Sequence, residues 1–108
     1  MAKFLTRVEL HHANENDYEL LHAEMAIRGF SREITGDNGQ SYQLPTAEYV
    51  IRSSSELEDV RALACAAAKT TGRKFEVIVV QYIKSAWKGL APLYNSLGIS
   101  QDAWRRII

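Results

Sequence analysis

The side chains best suited to chemistry in this chain are two adjacent histidines, His11 and His12, and four spaced arginines, Arg7, Arg28, Arg32 and Arg52. An imidazole titrates near neutrality, so either histidine could serve as a general acid or base. Both close an alternating apolar segment, and neighbouring strand residues point to opposite faces, so they are not expected to work as a pair. Ordinary strand-end polarity explains them as well. The arginines could hold phosphates, and Tyr42, Tyr49 and Trp87 could stack on unpaired bases, although aromatics on strands more often serve a core or an interface. His22, one turn after Tyr18, reads as a residue at the edge of a helix. Lys69, Arg73 and Lys74 are better explained by the negative end of a helix. Metal-ligand spacing is absent: there is no HExxH, no cysteine cluster and no paired aspartates, so neither metal nor cofactor is expected.

The elements that must position these residues repeat one unit. Phe4 to His11 alternates Phe4, Thr6, Val8 and Leu10 against a more polar set, as a half-buried strand does. Asn16 and Glu19 have capping-box spacing and predict a helix from about Asp17 to Arg28, ended by Gly29, with Tyr18, Leu21, Met25 and Ala26 inward. Phe30–Ile34 and Gln40–Ile51 then predict a hairpin around Gly36-Asp37-Asn38-Gly39. Pro45 lacks an amide donor, so a bulge or edge position is expected near it.

Ser55 and Glu58 predict a second capped helix, with Leu57, Val60, Ala64, Ala67 and Ala68 as its stripe and Gly72 as its stop. Phe75 to Val80 is the last strand, apolar on both faces at its end, and therefore in need of cover on both sides. This β-α-β-β-α-β order predicts an α+β, ferredoxin-like domain over residues 1–83, with a four-stranded antiparallel sheet carrying both helices on one face. Residues 84–108 are an extension, with a short helix expected at Pro92–Leu97 and another start at Ser100. The extension is expected to cover the open sheet face or to cross to a partner.

The 108 residues, 46% hydrophobic, suit one domain with an adequate core. Cys65 has no cysteine to pair with and reads as a small buried hydrophobe, consistent with a reducing, cytoplasmic compartment. No apolar leader opens the chain and no apolar run is long enough for a membrane span, so a soluble protein is expected. Net charge is zero, but residues 1–60 hold 5 basic and 11 acidic side chains, while residues 61–108 hold 8 basic and 2 acidic. Such asymmetry suits a local polyanion surface or complementarity between protomers. The apolar extension and open face together point to a homodimer.

The run Asn16-Asp17-Tyr18, then Met25-Ala26-Ile27-Arg28-Gly29-Phe30-Ser31, Ile34, Asp37, Gly39 and Tyr42-Gln43-Leu44-Pro45-Thr46-Ala47-Glu48-Tyr49, resembles the GhoS family, the endoribonuclease antitoxins of type V toxin-antitoxin systems. The likeness spans roughly residues 3–83. It implies a ferredoxin-like fold similar to that of small CRISPR-associated endoribonucleases, and cleavage of a toxin's messenger RNA. The strand-end aspartate of the CRISPR-associated metal nucleases is replaced here by Leu10-His11-His12. If RNA is cut, a metal-free route fits the residues: a histidine, His11 or His12, moves the 2′-hydroxyl proton while Arg28 or Arg32 stabilises the phosphorane. Arg7, Arg32, Arg52 and Tyr42 are the expected RNA contacts. The competing expectation is a non-enzymatic dimeric module that binds protein or nucleic acid.

Overall fold

The computed structural model describes residues 1–93. Its elements run β1 (Ala2–Leu10), α1 (Glu15–Ile27), β2 (Glu33–Thr35), β3 (Ser41–Gln43), β4 (Glu48–Ser53), α2 (Leu57–Lys69) and β5 (Phe75–Tyr82). The alternation of β1 sets the core. Phe4, Thr6, Val8 and Leu10 are all buried on one face, and β4 and β5 flank the strand antiparallel in the order β4-β1-β5. Register places Ile51 opposite Phe4, Tyr49 opposite Thr6, and Val77 opposite Val8.

Both helices pack on this face, with Leu21 and Met25 of α1 and Val60, Ala64, Ala67 and Ala68 of α2 in one cluster with β1. The alanines let α2 approach the sheet closely.

The start of α1 lies two residues earlier than the spacing of Asn16 and Glu19 suggests. Asn14 and Asp17 form the capping box instead, with reciprocal 3.0 Å bonds between each side chain and the other's amide. The same spacing occurs twice in residues 14–19, as Asn14 with Asp17 and as Asn16 with Glu19, and the earlier pair caps the helix. Ala26 is exposed rather than inward. Gly29 has φ +94, and the amides of Gly29 and Phe30 return to Ala26 and Met25, a Schellman ending that only glycine adopts without strain. At α2, Glu56 rather than Ser55 is the N-cap residue, and its side chain makes no capping bond. Cys65 is half-buried, within 3.7 Å of an Arg61 nitrogen, rather than sealed in the core.

The sheet expected to have four strands has three among the described residues. Segment 30–34 touches it through one bridge, in which Ser31 and Val50 exchange backbone bonds of 2.8 Å. The chain then leaves to form a separate two-stranded ladder, β2 with β3. Two local features divide the long arm predicted from Gln40 to Ile51. The Gly36-Asp37-Asn38-Gly39 turn, with Gly39 at φ +80, pulls residues 33–35 onto 41–43. Pro45 then interrupts the amide ladder before β4 begins. Residues 91–93 return alongside β3, where Leu93 N–H donates to Ser41 and Gln43 N–H donates to Ala91. Pro92 thus lies beside Tyr42. The remainder of the helix expected at Pro92–Leu97, and the start expected at Ser100, fall outside the described residues. No described helix is long and apolar enough to cross a membrane.

The second sheet face carries Leu5, Val50, Ile78 and Val80, and among the described residues no helix covers it. Ile78 is 61% exposed and Val80 44%, so the described residues cover the two-sided apolar strand β5 on one side only.

Two substitutions test this packing by chemical denaturation. Thr6 is fully buried and its Oγ1 has no partner, so Thr6→Val should raise stability by about 1 kcal/mol, because the shape is kept and an unsatisfied hydroxyl is removed. Asn14→Ala should lower it by about 1 kcal/mol through loss of the cap.

Candidate functional site

The cleft at the start of α1 gathers the most chemically capable group in the described chain. Tyr18 and His22 stand one turn apart on α1 with ring centroids 6.4 Å apart, and the His22 ring faces Tyr49 of β4 with centroids 5.7 Å apart. His22 Nδ1 and the Tyr49 hydroxyl share a 2.6 Å hydrogen bond. Arg32 lines the same open cleft of about 750 Å³, together with Asn14, Asn16, Glu19 and Thr46.

Each of these side chains is held by an element with an independent reason to be there. Tyr49 occupies a core-facing position of β4 opposite Thr6 and is 1% exposed. The start of α1 is anchored by the Tyr18 hydroxyl, which accepts from Leu10 N–H at 3.1 Å, and by Asp17, which accepts from Arg73 Nε at 2.9 Å. The Arg32 backbone follows the Ser31–Val50 bridge, and its carbonyl accepts from Leu44 N–H at 2.7 Å. Arg32 Nε is buried without a hydrogen-bond partner, so part of this guanidinium's donor capacity is unused.

The electrostatics favour a neutral imidazole. Burial, and then the charge of Arg32, lower the His22 pKa below its ordinary 6.5, against a smaller opposing effect from Glu19. Burial pushes the Tyr49 phenol well above its ordinary value, so it stays protonated. A neutral histidine tied through one nitrogen to a neutral phenol is held in a single orientation. His22 Nε2 makes no hydrogen bond to a described residue. Glu15 and Glu19 make the helix side of the cleft acidic, which leaves Arg32 as its positive wall.

The residues expected from sequence to act do not converge. His11 lies in the turn after β1 and pairs with Glu76 through a 2.9 Å contact at the surface. His12 is exposed, with φ 53, an uncommon left-handed backbone for a residue with a side chain. Arg28 caps the opposite end of α1, about 20 Å along the helix from the histidine pair, and is bound to Glu24 at 3.0 Å. A site made of His11, His12 and Arg28 together is therefore not assembled.

Arg7 lies on the face away from the helices and pairs with Glu9 at 3.3 Å, and Arg52 shares that face. Tyr42 packs edge-on against Trp87 with centroids 5.5 Å apart, beside a second cleft of about 660 Å³ that includes Lys3 and Lys84. Of the expected contacts, only Arg32 stands beside a histidine, and that histidine is His22. The pairing of His22 with Tyr49 spans 27 residues, and no spacing rule links them. Among the described residues no group of three or more His, Cys, Asp or Glu side chains could hold a metal ion.

No known protein-family model matches the chain. No curated protein matches it either.

The electrostatics of His22 have a measurable consequence. Because the folded pKa lies below the unfolded value of 6.5, the unfolded state binds more protons in the interval between the two, and the contribution of His22 to stability is lost as pH falls through that interval. NMR titration should place the His22 midpoint below 6.5, and Tyr49→Phe should shift it measurably. A midpoint at or above 6.5 would show that the ring is not held neutral by its surroundings.

Proposed function

We propose that this chain is a metal-independent endoribonuclease similar to the GhoS antitoxins, acting on messenger RNA in the cytoplasm, with His22 and Arg32 as its working pair. The observation that carries the reading is His22, bonded at 2.6 Å to the buried Tyr49 hydroxyl, lining one open cleft with Arg32. In the tautomer whose Nδ1–H donates to the Tyr49 oxygen, Nε2 carries the free lone pair and is suited to take the 2′-hydroxyl proton. The 2′ oxygen then bonds to the adjacent phosphorus as the bond to the 5′ oxygen breaks. The imidazolium returns its proton to that departing oxygen, which leaves a cyclic phosphate and a 5′-hydroxyl. Arg32 would bind the non-bridging oxygens, where negative charge gathers.

The reading includes a ferredoxin-like scaffold. The order β5-β1-β4, with Ser31 bridged to Val50 at the outer side of β4, follows the strand order of a split βαβ sheet whose fourth position is reduced to one bridge. His11, His12 and Arg28 take no part in this mechanism. Arg7, Arg52 and Tyr42 would serve as outlying RNA contacts.

A second reading, a non-enzymatic homodimeric module that binds protein or nucleic acid, is favoured by the uncovered sheet face with Ile78 and Val80.

Incubation with a panel of single-stranded RNAs separates the two readings. Cleavage should persist in EDTA, fall about 100-fold or more in His22→Ala, and stay within a few-fold of wild type in His11→Ala. Arg32→Lys, which keeps the charge but loses the planar fork, should retain part of the activity. Activity restored only by Mg²⁺ or Mn²⁺, or an equal loss from His11→Ala and His22→Ala with folding intact, would overturn the mechanism. Cleavage of no RNA in the panel would favour the binding module.

A further inference from the structure

We infer that the outer edge of β5 pairs antiparallel with β5 of a second copy of this chain, joining two three-stranded sheets into one of six. The inference deepens the homodimer reading above and rests on it, not on the nuclease reading.

The two edges of the main sheet are treated differently. Along β4 the Ser31 bridge and the departing β2–β3 ladder occupy the outer side. Along β5 no described strand pairs with the outer side, although its inner side is matched to β1 without interruption from Phe75 to Tyr82. Edge strands are ordinarily protected by lysine, proline, a bulge or short length. β5 has none of these: its eight residues, Phe-Glu-Val-Ile-Val-Val-Gln-Tyr, include one charge, Glu76. Such an edge presents open backbone donors and acceptors along about 27 Å. A strand fits it, and a second β5 is a strand of the same length.

The side chains select the register. In a two-fold pair, directly opposed residues must lie on the same face, so either Ile78 or Val79 can sit on the axis. With Ile78 on the axis, Glu76 would face the partner's Val80, placing a carboxylate against an apolar side chain. With Val79 on the axis, Ile78 faces the partner's Val80, Val80 faces the partner's Ile78, and Glu76 meets the partner's Tyr82. The second register pairs the two most exposed apolar residues of the strand with each other, at 61% and 44% exposure in the single chain. Leu5 and Val50 extend the resulting strip on either side.

The test uses the full 108-residue chain in light scattering and sedimentation at about 5 to 100 µM. Wild type should dimerise. Ile78→Lys with Val80→Lys opposes like charges twice across the axis and should weaken the dimer at least about tenfold. Ile78→Lys with Val80→Glu opposes unlike charges and should recover most of that loss. Both positions are exposed in the single chain, and circular dichroism checks that the fold is kept. In wild type, exchange of β5 amides should slow as concentration rises, a readout that needs no variant. A wild-type monomer, including one whose own residues 94–108 cover the edge, would overturn both the homodimer reading and this inference. A dimer unaffected by the two lysines, or two variants equally dissociated, would overturn only the β5 pairing.

Discussion

The rest of the described molecule depends on the burial of one face of β1. Phe4, Thr6, Val8 and Leu10 are between 0% and 6% exposed, and the buried side chains of both helices join them in one cluster. At roughly 25 cal/mol per Å² of apolar surface removed from water, the cluster that this face forms with β4, β5 and both helices is the dominant favourable contribution to folding, and it dictates which sides of β4 and β5 turn inward. Thr6 is the exception within it. A hydroxyl sits where a methyl would fit, directly across from Tyr49, whose own hydroxyl lies at the edge of the core and bonds to His22.

That constraint also shapes the candidate site. Tyr49 is inward because its strand register with β1 requires it, and His22 faces it because Leu21 and Met25 fix the rotation of α1. Arg32 arrives by a third route, through the bridge that holds Ser31 against Val50. Three separate packing decisions thus converge on one cleft. The partial burial that follows lowers the histidine's proton affinity and leaves a guanidinium nitrogen without a partner. Both features distinguish this cleft from the exposed His11–Glu76 pair.

The opposite face follows another logic. Its apolar residues are a consequence of a strand, Phe75–Tyr82, that is β-branched on both sides, while the described helices cover only one. Apolar side chains left in water, next to an edge with open backbone groups, form a surface suited to another strand. The His22–Arg32 cleft and the apolar Ile78–Val80 face are therefore on opposite sides of the sheet. Neither needs the other's residues.

Much of the element order was legible in the chain itself, because it depends on local rules. The period of two in Phe4-Thr6-Val8-Leu10 located the inward face of β1, the stripe Leu57-Val60-Ala64-Ala67-Ala68 located that of α2 except at Leu57, which the first turn leaves 41% exposed, and Gly29 marked the end of α1. The cap of α1 was displaced by two residues because the chain offers the same spacing twice, Asn14 with Asp17 and Asn16 with Glu19, and the fold uses the earlier pair.

Tertiary structure decided two further matters. One was the division of the sheet at Pro45, where a turn and a missing amide outweighed continuous strand propensity. The other was the site. His22, Arg32 and Tyr49 lie on a helix, a connecting segment and a strand, and their meeting depends on strand register and helix rotation, which no spacing along the chain encodes.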